Sequence, residues 1–198
     1  MEVENKDFLK NNISGRKYMP IDINELQIVN YCHPNCEPFK NIVRLPKKEA
    51  FLLADKLAMD NPNTTSFYRF ADFINYYNLR MKQDTYLYKL FISMGGNPKE
   101  THPLSFVLQG SEYLNKWFDG GTITKIYLKN IPDEFISFTL GDSGSVFQRT
   151  GSVTMITKET LYKTIREYIG TIDEFMNEIV EKHHYIEVQL WNDKYCIC

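Results

Sequence analysis

The residues of this 198-residue sequence that could do chemistry fall into two groups, a pair of cysteine clusters and a scatter of polar side chains at strand ends. Cys32 and Cys36 bracket His33, and Cys196 and Cys198 stand one residue apart. Thiolates and imidazole are the ligands that tetrahedral zinc prefers, so the four cysteines Cys32, Cys36, Cys196 and Cys198 could form a structural zinc site if the fold brings the pairs together. Free thiols or a redox-sensing pair are the other readings of the same spacing. In the second group, His102, Ser137, Thr139, Asp142 and Glu187 lie in or beside runs of strand-forming residues, where sites on a sheet scaffold usually sit. His102 could act as an acid, a base or a ligand-orienting group. Asp142 could position a ligand, although Gly141-Asp142-Ser143-Gly144 also reads as a turn.

Glu187 stands out because it is a carboxylate between Ile186 and Val188 in an apolar run. Strand periodicity puts Ile186, Val188 and Leu190 on one face and Glu187, Gln189 and Trp191 on the other. That alternation predicts a wetted outer face for Glu187, with a functional carboxylate as the alternative.

The elements that would position these residues can be read from hydrophobic periodicity. Leu26–Tyr31, Leu104–Leu108, Thr122–Leu128, Phe135–Leu140 and Tyr185–Trp191 read as strands, and Asn41–Leu45 as a further short one. Ser111 is placed to cap a helix over 112–118, Thr157 another, and Thr171 with Glu174 forms the pattern of a capping box. Pro46 opens a helix with Ala50, Leu53, Ala54, Leu57 and Ala58 along one side, and the long helical signal from Ser66 to Met94 predicts a break near Lys82-Gln83-Asp84. The segment from Ser145 to Val153 reads as a loop. Together these predict a single α+β domain over 21–198, with a mixed, mainly antiparallel sheet and four to six helices, after a polar and mobile segment over 1–20.

Composition narrows the partners. Hydrophobic residues make up 43% and aromatic residues 14%, enough for a core without staples, and the net charge is −2. So balanced a chain argues against nucleic acid, because phosphate contacts need a concentrated basic face. No window approaches a membrane span and no signal peptide is visible, so a cytoplasmic location without membrane attachment is expected. Tyr76, Tyr77, Tyr86 and Tyr88 interleave with Arg69, Arg80, Lys82 and Lys89, a pattern that suits either base stacking with phosphate contacts or an amphipathic core edge, and the core edge is the expectation.

In order along the chain, Arg44, the strand Ser137-Phe138-Thr139 and the late Glu187 resemble toxin-like ADP-ribosyltransferases. Ser137-Phe138-Thr139 stands where that family has Ser-Thr-Ser, and Glu187-Val188-Gln189 reverses its usual Gln/Glu-x-Glu. The resemblance implies an NAD-using transferase in which Glu187 stabilises a developing oxocarbenium, Arg44 meets a phosphate and Ser137 supports the glutamate, with Thr139 and Asp142 beside the cofactor. The competing expectation, favoured on sequence because no full catalytic motif is present, is a module that docks a protein partner through exposed aromatics such as Trp117 and Trp191.

Overall fold

The computed structural model describes residues 21–196, so the polar segment 1–20 and Cys198 lie outside the described residues. Six strands, β1 (Gln27–Cys32), β2 (Leu104–Leu108), β3 (Thr122–Tyr127), β4 (Ile136–Leu140), β5 (Met155–Thr157) and β6 (Ile186–Leu190), form one sheet in the order β3-β1-β2-β6-β4-β5. Every pairing is antiparallel, so the sheet is not mixed as expected. Among the described residues six α-helices accompany it: α1 (Lys47–Asp60), α2 (Phe73–Ser93), α3 (Glu112–Trp117), α4 (Ser143–Thr150), α5 (Lys158–Glu167) and α6 (Ile172–His183). The architecture is α+β.

Helix starts follow the capping residues. Ser111 Oγ accepts from the Leu114 amide and Thr157 Oγ1 from the Thr160 amide, while Thr171 and Glu174 close a full capping box. Pro46, whose fixed φ suits a helix start, immediately precedes α1, but only Ala50 and Ala54 of its expected stripe are buried, and Leu53 stays 38% exposed.

β6 lies third from one edge, flanked by β2 and β4, and all five of its residues are buried. Its Ile186, Val188 and Leu190 join Phe106, Phe138, Leu161, Ile165, Phe175 and Ile179 in the main core, which α5 and α6 cover. The opposite face is covered too. Trp191, fully buried, stacks on Phe91 of α2 with ring centroids 5.4 Å apart, in a second core with Leu87, Val153 and Met155. The expected wet face is therefore buried at Glu187 and Gln189. Alternation alone cannot distinguish a solvated face from one roofed by a polar helix surface, and α2 and α4 provide that roof.

Three local expectations are corrected. Asn41–Leu45 is not a strand: Asn41 caps a single 3-10 turn over Ile42–Arg44, accepting from the Val43 amide. The segment expected to be a loop after Ser145 contains α4, because Asp142 accepts from the amides of Gly144 and Ser145 and starts a helix that Gly151 ends at φ 72°. α2 runs unbroken through Lys82-Gln83-Asp84, and the interruption falls earlier, where a 3-10 turn over Thr65–Phe70 leads into it. Polar residues at helical positions 83 and 84 were misleading because they face the protein: both are fully buried.

Candidate functional site

Strand register assembles the site. On the sheet face under α2, one cross-strand row runs Val29, Val107, Glu187, Thr139 and Met155, and the next runs Ser105, Gln189, Ser137 and Thr157. Side chains opposite one another in such rows are neighbours, so Ser137, Thr139, Glu187 and Gln189 form a buried polar block.

Their hydrogen bonds form a directed chain. Trp191 Nε1–H donates to Ser137 Oγ at 2.9 Å, and Ser137 donates to Gln189 Oε1 at 3.0 Å. Gln189 Nε2 donates to Thr139 Oγ1 at 3.0 Å, and Thr139 donates to Glu187 Oε2 in a long contact of 3.5 Å. The Ser143 amide also donates to Glu187 Oε2, at 2.7 Å. Thus one carboxylate oxygen is fixed by the first turn of α4 and by the polar block.

Glu187 lies at the floor of a cleft of about 330 Å3 between the sheet, α2, α3 and the start of α4. From α2, Tyr76, Leu79, Arg80 and Gln83 line it at steps of three and four, one helical face. The 3-10 turn over Thr65–Phe70 contributes Tyr68 and Arg69, α3 contributes Tyr113 and Trp117, β1 adds Tyr31, and Tyr185 enters from the residue just before β6. Gln83 Nε2 donates to Ser143 Oγ at 2.7 Å, clasping α2 to α4. Gly144 permits that approach, because a Cβ there would stand 3.2 Å from Gln83 Oε1.

The charges in the cleft are unevenly satisfied. Arg80 Nη2 pairs with Asp84 Oδ1 at 3.2 Å, and His102 Nδ1 meets the other carboxylate oxygen at 2.9 Å. Asp84 and the other carboxylates nearby hold the buried Arg80 guanidinium firmly protonated against the cost of its burial. Asp142 spends its carboxylate on the α4 amides and on Ser145 Oγ. Among the described residues, Glu187 has no cation in salt-bridge contact. Burial, and next the charge of Asp142, push its carboxyl above the usual glutamate range, opposed by the Ser143 hydrogen bonds and by Arg80. Burial likewise pushes the Tyr185 phenol up, reinforced by Asp142 and Glu187, so it is neutral and able to donate.

The structure gathers some of the sequence candidates and disperses others. Glu187 and Asp142 line the cleft, and Thr139 and Ser137 support Glu187 from below. His102 stands behind Arg80, on the far side of Asp84. Arg44 is elsewhere: its Nε donates to the His102 carbonyl at 2.7 Å and its Nη1 pairs with Asp193, fastening the 3-10 turn to the start of β2. Trp191 is fully buried and so is not an exposed anchor, whereas Trp117 sits at the cleft wall with Tyr68 in edge contact at 5.8 Å.

The zinc expectation finds no support. Among the described residues no three His, Cys, Asp or Glu side chains stand where they could hold a metal ion. The Cys32 thiol is pushed up to about 11, first by burial and then by Cys36 and Glu37, so it is a protonated thiol at neutral pH. His33 is occupied with Asp119 Oδ2 at 3.1 Å and with the Asn35 amide, and Cys198 lies outside the described residues.

The residues that sequence reading missed as a site are Gln83 and Asp84, together with Tyr68 and Tyr113, whereas Arg69, Tyr76 and Arg80 belong to the tyrosine and arginine pattern expected to be a core edge and instead line the cleft. Their signal was present, since Tyr76, Arg80, Gln83 and Leu87 share one face of α2. Among the described residues, no helix is long and apolar enough to cross a membrane. No family model, curated protein or solved structure matches this chain.

Proposed function

We propose that the cleft is a small-molecule site and that Glu187 is its working carboxylate, in an enzyme that transfers a group from a nucleotide such as NAD. One observation carries this reading. A glutamate on an inner strand is buried at the floor of an aromatic cleft, held by one oxygen and, among the described residues, in direct contact with no cation, an arrangement that costs stability and suits chemistry. A carboxylate so placed can stabilise positive charge developing on a sugar ring or exchange a proton with a bound hydroxyl. The volume is near the low end for ligand sites, about 300 to 1,000 Å3, which suits a mononucleotide or one half of NAD. Aromatic walls suit the flat ring of such a molecule.

The test is a thermal-shift panel of nucleotides, NAD included, with turnover followed in wild type and Glu187→Gln. A ligand at a hundred times its dissociation constant adds about 2.7 kcal/mol, or roughly 5–10 °C in a domain of this size. The expected result is such a shift in the wild type, with turnover abolished in the variant and its fold intact. A flat panel in folded protein would overturn the proposal.

Docking of a protein partner is the second reading, favoured by one observation: Tyr68 and Tyr113, 66% and 55% exposed, flank Trp117 at the mouth of the cleft. Exposed aromatic clusters are common anchors in interfaces. Under that reading Trp117→Ala abolishes partner binding and Glu187→Gln does not.

A further inference from the structure

Two charges in the cleft have no opposite partner. Arg80 is matched by Asp84, and Asp142 by the amides at the start of α4. What is left is Arg69 and Glu187, and they make no ion pair with each other or, among the described residues, with any other side chain. Arg69 is held in place by aromatic faces instead, its guanidinium 5.2 Å above the Tyr76 ring and 5.9 Å above that of Trp117. Its Nη1 makes only a long 3.5 Å contact to the Tyr76 hydroxyl, and its Nε is buried without an acceptor. A guanidinium oriented by flat faces, with donors to spare, is a receptor for an oxyanion.

From this we infer that Arg69 anchors the phosphate of a nucleoside phosphate whose base lies along the Tyr68, Tyr113 and Trp117 wall and whose sugar hydroxyls reach Glu187. The inference rests on the cleft being a small-molecule site and adds the class of ligand. Phosphate fits better than a carboxylate because the Tyr76 hydroxyl and Arg80, whose Nε is buried without an acceptor although its Nη2 pairs with Asp84, flank the same wall, offering more donors than a carboxylate needs. The opposite end must donate hydrogen bonds rather than carry an anion, since Glu187 is itself an acceptor. Arg44, with its guanidinium committed to Asp193 and the His102 carbonyl, is not placed for this role.

Calorimetric titration of the whole chain with AMP, adenosine and inorganic phosphate tests the inference, using wild type, Arg69→Met, Arg69→Lys and Glu187→Gln. Methionine keeps the stem packing and removes the charge, and unchanged melting temperatures check that the variants fold. The expected result is AMP binding about ten- to a hundred-fold tighter than adenosine in the wild type, as a charge-assisted contact implies. Arg69→Met should remove that preference and the competition by inorganic phosphate, and Arg69→Lys should restore part of both. Adenosine binding as tightly as AMP, or equal weakening of both by Arg69→Met, would overturn the anchor while leaving Glu187 in place. An intact AMP preference with no effect of Glu187→Gln on binding or turnover would keep the anchor and sink the role of Glu187. No binding by folded protein would overturn both.

Discussion

Glu187 shows how a residue can be legible in type and illegible in setting. A carboxylate in an apolar strand is visible in the sequence, but whether it meets water or a second layer depends on α2, about a hundred residues earlier. Its raised pKa has a measurable consequence. In the folded chain the carboxyl keeps its proton to higher pH than in the unfolded chain, so the stability it contributes is full below the ordinary glutamate value and is lost as pH rises through the folded value. Glu187→Gln retains an acceptor for the Ser143 amide and has no charge to desolvate. The variant should therefore melt higher than wild type, by a margin that widens from about pH 4.5 upward. A margin independent of pH would contradict this. Ser137→Ala makes a second test, because Trp191 Nε1 and Gln189 Oε1 both lose their partner. Stranding buried groups should lower stability by about 1–3 kcal/mol in denaturant titration.

At the scale of elements, β1, β2, β3, β4 and β6 were legible because each carries a run of β-branched and aromatic residues between turn signals, and the helix caps because hydroxyls sit one residue before the first turn; the three-residue β5, running straight into α5, is too short to show a period and was not. α4 was not legible. Its composition, Ser-Gly-Ser then Thr-Gly, is that of a loop, and it is helical because Asp142 caps it and because its first amide finds Glu187 on the neighbouring strand. Two substitutions test that account. Asp142→Ala should cost about 1 kcal/mol as a lost cap, and should also perturb Glu187 by freeing the helix start and removing a neighbouring charge. Gly144→Ala sets a Cβ 3.1 Å from Asp142 Oδ1 and 3.2 Å from Gln83 Oε1, so it should forfeit the gain of about 1 kcal/mol that alanine otherwise brings to a helix, and recover it when Gln83 is also shortened to alanine. Circular dichroism with chemical denaturation reads both effects. The break expected in α2 failed for a related reason: Gln83 and Asp84 look like helix-surface residues, but inside the protein Gln83 Nε2 donates to Ser143, and Asp84 meets Arg80 and His102.

At the scale of the whole molecule, a sheet covered on both sides makes one cleft possible. α5 and α6 seal the apolar face, while α2, α3 and α4 leave a gap over the polar rows, and the gap exposes strand side chains that would otherwise be core. The α+β class followed from the order of strand and helix patterns. The cleft did not, because it depends on strand order, and the placing of β6 between β2 and β4 brings residues 107, 187 and 139 into one row. Amide hydrogen exchange should find β2 and β6 most protected and β3 least, since β3 pairs on one side alone and leaves Ile123 and Tyr127 exposed. The most direct test of Glu187 as the working carboxylate is its own titration, followed by carbon NMR of the side-chain carboxyl and assigned with Glu187→Gln, with and without AMP. The expected result is a midpoint above the ordinary glutamate value of about 4.3 in the free protein, displaced when AMP is added. An ordinary midpoint that AMP leaves untouched, at concentrations where AMP binds, would contradict the account.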